Sequence, residues 1–201
     1  MVMKTLILSF LGEFQCSYQD RPITTFRSDK IRALLAYLAI EADVPHRRET
    51  LATLLWPQST DAIALRNLRK SLHRLRQTLD AAAPELSAAV LTISRQTVQL
   101  NKTAVFDGLE TAVSIDVHTF EQALTRIESH PHRSLVACST CLTTLTEATD
   151  LYQGNLLQGL SFPDAIVFEE WLLVRREFLH QKALTALHLL AATCERRGDF
   201  E

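Results

Sequence analysis

Five side chains at helical spacing, Arg66, Asn67, Lys70, His73 and Arg74, have the chemistry to read the edges of base pairs. An Arg fork can bond both major-groove acceptors of guanine, and an Asn amide matches adenine in the same way. At 100° per residue these five fall opposite Leu65, Leu68, Leu72, Leu75 and Leu79, which step by three and four and form a seam for burial. Arg69 and Arg76 stand at the seam's shoulder. With Lys30, Arg47 and Arg48 they are candidates for phosphate contacts, which position a protein on a duplex without reading its sequence. Residues 61–80 hold five Lys and Arg against two acids, all five off the seam. A solvated charged face is the simple alternative for such a helix, and a surface histidine is the equally simple one for His73.

Those side chains need a helix held by its apolar seam, and the flanking sequence supplies the support. Residues 5–11 and 14–19 read as short strands around Gly12, with a third near Ile23 after an Asp20-Arg21-Pro22 turn. A helix over 28–40 follows, with Ile31, Leu34, Leu35 and Leu38 on one stripe. Pro45 breaks the chain before a second helix over 48–55, which Trp56-Pro57 closes because a residue before proline resists helical geometry. The third, basic helix runs from 59–61 to about 80, with Ser59, Thr60 and Asp61 as candidate caps. Two alternating runs, 90–94 and 97–100, predict a hairpin over 90–101. Arg95-Gln96 is a poor primed turn, so a wider loop is expected there. Arg95, Gln96 and Thr97 lie at its tip, where a cation can enter a narrow minor groove, with an exposed loop charge as the even alternative. Residues 104–115 read as a mixed linker. Helices are expected over 116–127, 134–152, 163–180 and 181–197, and residues 198–201 read as a turn entering a further helix of a longer protein.

Composition narrows the function classes. The chain has 201 residues, 47% hydrophobic and 22% charged, the profile of an ordinary folded protein. Its net charge of −2 hides a split: residues 1–103 carry 14 Lys and Arg against 9 acids, and residues 104–201 carry 7 against 14. A basic half that can meet a polyanion and an acidic half that avoids one argue for two domains, 1–103 and 104–201. Five scattered glycines exclude the Gly-rich phosphate loops, and no apolar run is long enough to span a bilayer. Leu6, Ile7, Leu8, Phe10 and Leu11 read as a first strand and not as a secretory leader, so a cytoplasmic protein is expected. Cys138 and Cys141 form a CxxC near His130 and His132. The spacing matches no familiar zinc pattern, and small apolar fillers between helices are the expected use. Glu169-Glu170 beside Trp171 reads as a helix-surface acid pair. No hydrolase or metalloprotease motif is present, so no enzyme, no metal and no cofactor are expected.

Strands, three helices with a basic third, then a hairpin is the plan of a winged helix-turn-helix. The segments KIRALLAYLA at 30–39, LLWP at 54–57 and RNLRKSLHRLR at 66–76 resemble the DNA-binding half of bacterial regulators of the Streptomyces antibiotic regulatory protein type, itself similar to OmpR-type response regulators. SIDVHTF at 114–120, LYQGN at 151–155 and EEWLLVRRE at 169–177 resemble the bacterial transcriptional activator domain that follows it. The resemblance implies an α+β, OmpR-like winged helix-turn-helix followed by an all-α, tetratricopeptide-like domain, cut short at its C-terminal end, with a mostly helical whole. It implies a transcriptional activator that binds repeats in double-stranded promoter DNA through the third helix and the wing. Trp56, Pro57, Gln58, Ser59 and Thr60 would occupy the loop that meets RNA polymerase, although Trp56, which ends an apolar helix against a proline, reads first as a core anchor. The helical half would serve homodimerisation or relay signals. Arg47 stands where the family carries a Ser or Thr cap, and Leu65-Arg66-Asn67 replaces its Arg-Asn-Asn, so the target sequence is not carried over. The competing reading is a protein-interaction module of a larger ATPase-type signalling regulator with only nonspecific affinity for DNA.

Overall fold

The computed structural model of the chain describes residues 4–106, 109–131 and 137–197. Strand β1 (Lys4–Ser9) alternates as a half-buried strand should, with Leu6 and Leu8 buried and Ile7 outward. It pairs antiparallel with β2 (Gln15–Tyr18), and β2 with the edge strand β3 (Arg21–Pro22), where a proline deprives the sheet of no needed donor. Gln19 and Asp20 both take positive φ, so the tight turn falls one residue earlier than the sequence implies.

The 104–115 stretch is not a linker. It forms β7 (Thr103–Phe106) and β8 (Leu109–Ile115), which complete a five-stranded sheet of order β3-β2-β1-β8-β7 with β8 parallel to β1. The inward positions of β8 include Thr111 beside Val113 and Ile115, all buried, and this polar residue on the apolar side masks the strand period. The expected division at 103/104 falls at the start of β7.

Helix α1 (Asp29–Ile40) buries Ile31, Leu34, Leu35 and Leu38 as one stripe. Next come β4 (His46–Arg47), α2 (Arg48–Leu55) and α3 (Asp61–Ala82), whose Leu68, Leu72, Leu75 and Leu79 form the buried seam with Leu65 half-buried at its start. A short α4 (Leu86–Val90), absent from the sequence reading, leads into β5 (Leu91–Ile93) and β6 (Thr97–Leu100). These strands form a hairpin whose second strand also pairs with β4.

The remainder is helical: α5 (Asp116–Ser129), α6 (Ser139–Leu151) and α7 (Ile166–Arg197). The first residues of the helix expected over 134–152, and the turn expected over 198–201, lie outside the described residues. The two helices expected over 163–180 and 181–197 are one helix of 32 residues. Nothing in His180-Gln181-Lys182 interrupts it, because neither Gly nor Pro is present to break the hydrogen-bond ladder. No helix among the described residues is long and apolar enough to cross a membrane.

One hydrophobic core runs from β1 through α1–α3 to α5 and α7, with Phe10, Phe120, Phe162 and Phe168 fully buried. Polar contacts lock the joint. The Asp116 carboxylate, at the start of α5, accepts from the backbone N–H of Phe10 at 2.6 Å and of Leu11 at 2.7 Å. Glu41, at the end of α1, accepts from Trp171 Nε1 at 3.1 Å and Arg175 Nη2 at 2.5 Å, both on α7.

Candidate nucleic-acid interface

Helix α3 displays its cations as its periodicity requires. Arg66, Arg69, Lys70, His73, Arg74, Arg76 and Gln77 are exposed and Asn67 is half-buried, opposite the seam that packs into the core. Arg66, Arg69, Lys70 and Arg74 form no ion pair among the described residues. Neither acid of the helix neutralises them. Asp80 turns to α4, where its carboxylate accepts from the Ser87 N–H and hydroxyl, each at 2.9 Å, and Asp61 sits in the first turn, where the helix dipole favours a negative charge. Residues 66–76 span about 15 Å along the axis, the length of four to five stacked base pairs.

The start of α3 is built differently from expectation. Its N-cap is Thr60, whose side chain makes no capping bond, and the turn before it is closed by the Ser59 N–H on the Trp56 carbonyl at 3.1 Å. In that loop Gln58 and Thr60 are exposed, Pro57 and Ser59 half-buried, and Trp56 packs against the core as an anchor.

The hairpin turn is tight, not wide. The Ser94 N–H bonds the Thr97 carbonyl at 2.9 Å, and the Ser94 hydroxyl accepts from the N–H groups of Gln96 at 3.1 Å and Thr97 at 2.8 Å. The serine immediately before Arg95 supplies the bonds that Arg95-Gln96 cannot, and this local side-chain bonding is the signal the sequence reading missed. Arg95 and Gln96 are exposed at the tip and Thr97 is half-buried behind it.

The same hairpin caps α2. Arg47 at its N-cap makes no capping bond, in line with the missing Ser or Thr. Instead the Arg48 N–H donates to the Gln96 carbonyl at 2.9 Å, and Arg48 Nη1 donates to the Ser94 carbonyl at 3.0 Å. Arg48 therefore ties the hairpin to the helices. Arg47 is exposed beside Glu49 at 3.6 Å, and Arg76 reaches Ser87 Oγ at 3.5 Å. Lys30 departs from the expected role. Its ammonium donates to the Leu55 carbonyl at 2.7 Å and pairs with Asp164 at 3.0 Å, so it is spent inside the fold and not offered to a phosphate.

Strands framing three helices and a hairpin, followed by packed helices, make this a mixed α+β chain. Mycobacterium tuberculosis EmbR, solved in complex with a low-affinity phosphopeptide, has a similar fold, with a TM-score of 0.70 at 20% identity over 97% of this chain. The chain spans 47% of that EmbR chain. No family model and no curated protein matches the sequence.

Proposed function

We propose that this chain is a sequence-specific, double-stranded DNA-binding transcriptional regulator of the Streptomyces antibiotic regulatory protein type, with α1–α3 and the β5–β6 hairpin acting as a winged helix-turn-helix. The observation that carries this is the face of α3, where Arg66, Arg69, Lys70 and Arg74 stand exposed with no acidic partner among the described residues. A protein partner would have to bury those charges against its own surface, whereas a duplex offers phosphates and guanine edges that match them. The fold shared with EmbR supports the regulator reading.

In this reading Arg66, Asn67, Lys70 and Arg74 face the major groove, with His73 between them. Arg47, Arg69 and Arg76 meet phosphates, and Arg95 enters the adjacent minor groove from the wing. Arg48 works through the wing, which it fastens to α2. Residues Gln58 and Thr60 of the α2–α3 loop are the exposed groups offered to RNA polymerase, and the helices after β8 serve dimerisation on repeated promoter sites.

Selection of randomised duplexes at two salt concentrations tests this, with Lys70→Ala/Arg74→Ala alongside the unaltered chain. An enriched motif is expected, bound at least about 30-fold more weakly by the variant, since each good base contact is worth about 1–3 kcal/mol. Any loss of phosphate contacts would also lower the salt slope by about 0.9 per contact. Weak binding without a motif, equally salt-sensitive in both proteins, would sink the reading.

A further inference from the structure

Away from α3 the acidic half holds a cluster of soft ligands that its sequence spacing does not advertise. His130 caps the C-terminal end of α5, Cys138 is the N-cap of α6, and Cys141 lies in the first turn of α6. Their ligand atoms all lie within 4.8 Å of one another, and Cys138 Sγ is 3.8 Å from His130 Nδ1. Residues at N-cap and N3 turn their side chains toward each other, as in a capping box, so a CxxC that begins a helix brings both sulfurs to one side of it. The end of α5 then presents the imidazole to the same point.

We propose that His130, Cys138 and Cys141 form a Zn2+ site that fastens the end of α5 to the start of α6. In a tetrahedral site with Zn–S of about 2.3 Å and Zn–N of about 2.0 Å, neighbouring ligand atoms stand about 3.5–3.8 Å apart. The observed cluster is already at or within about 1 Å of that spacing, a closure that side-chain rotation can supply. Two thiolates and an imidazole are the donor set that suits zinc, and binding releases the two thiol protons to solvent.

Burial sets the character of the site. Cys141 is buried beside Ile127, Leu145 and Ala186, Cys138 is half-buried and His130 is exposed. A surface hollow of about 370 Å³, lined by Arg126, His130, Thr140, Cys141 and Thr144, adjoins the cluster, and water or an outside ligand entering it would complete a four-coordinate site. His132, the other histidine near the CxxC, lies outside the described residues. This inference is independent of DNA binding.

The test is titration of the reduced, metal-stripped 201-residue chain with Co2+ as a spectroscopic probe, followed by displacement with Zn2+. One equivalent of Co2+ should give thiolate-to-metal charge-transfer bands and the visible bands of a tetrahedral ion, both abolished by Zn2+. Cys138→Ser and His130→Ala, at the more exposed positions, should each weaken binding by at least about 100-fold, beyond the 10–100-fold typical of outer-shell losses. Cys194→Ser should leave binding unchanged, and far-ultraviolet circular dichroism reports whether each variant folds. Absence of charge-transfer bands in the folded chain, or bands that persist in folded Cys138→Ser, would overturn the proposal. So would a Cys138–Cys141 disulfide that forms in air from a reduced chain with no affinity for Co2+.

Discussion

Asp116 shows how one side chain can decide whether a joint forms. Its carboxylate is the acceptor for the buried N–H groups of Phe10 and Leu11. Alanine there would strand the Phe10 and Leu11 donors at about 1–3 kcal/mol each and also remove the acceptor of the Val117 N–H, so Asp116→Ala is expected to lower stability by at least about 2–5 kcal/mol in urea unfolding, with Asn, which keeps one acceptor, losing less. Cys16 makes a complementary case on the same sheet. Burial pushes its thiol up to about 12, whereas an unfolded thiol titrates near 8.5. The folded chain therefore holds this proton where the unfolded chain releases it, and Cys16 contributes a loss of stability as pH rises from about 8.5 toward 12. At pH 8 iodoacetamide should label Cys16 only in proportion to the fraction unfolded by urea. Labelling in the native protein at the rate of an open thiol would contradict this.

At the scale of elements, the hairpin is both the tip offered to a minor groove and the cap of α2. Ser94→Ala removes the hydroxyl that accepts from two turn N–H groups. It should cost about 1 kcal/mol in thermal unfolding and loosen the β5–β6 pairing, while Arg95→Ala should leave the melting temperature unchanged. The helices were legible because Leu spacing writes their buried stripes directly: Ile31, Leu34, Leu35 and Leu38 in α1, then Leu68, Leu72, Leu75 and Leu79 in α3. The side of α3 available for a ligand followed from that seam. β8 was not legible, because it owes its place to a parallel partner, β1, remote in sequence at the start of the chain, and carries Thr111 on its buried side. Lys30 was misread for a related reason. Asp164, which holds it, is remote in sequence, and only the packing of the chain just before α7 near α1 brings the two together. His130, Cys138 and Cys141 were visible in the sequence but not as one cluster, because their convergence comes from where two helices end and begin, and spacing alone does not state that.

At the scale of the whole molecule, basic and acidic halves share one core and do not sit as separate bodies. Tyr37 on α1 meets Trp171 on α7 with ring centroids 4.9 Å apart, and Glu41 holds Trp171 and Arg175. Trp171→Ala is expected to cost about 2–4 kcal/mol, toward the lower end of large aromatic truncations because the ring is half-buried. The loss should appear as a shift of a single cooperative transition, followed by circular dichroism and fluorescence together. Two separated transitions in the unaltered chain would argue that the halves fold apart. Helix α7 gives this arrangement a mechanical meaning. Its first turns are seated against α1 and α2, while its later turns, through Ala186, pack with α5 and α6. At 1.5 Å per residue it is a rod of about 48 Å with no hinge along it. A push on its far end is levered over the contacts at Ala186. It arrives at Glu41 as tilt and torque, much as a long spanner turns the bolt it grips.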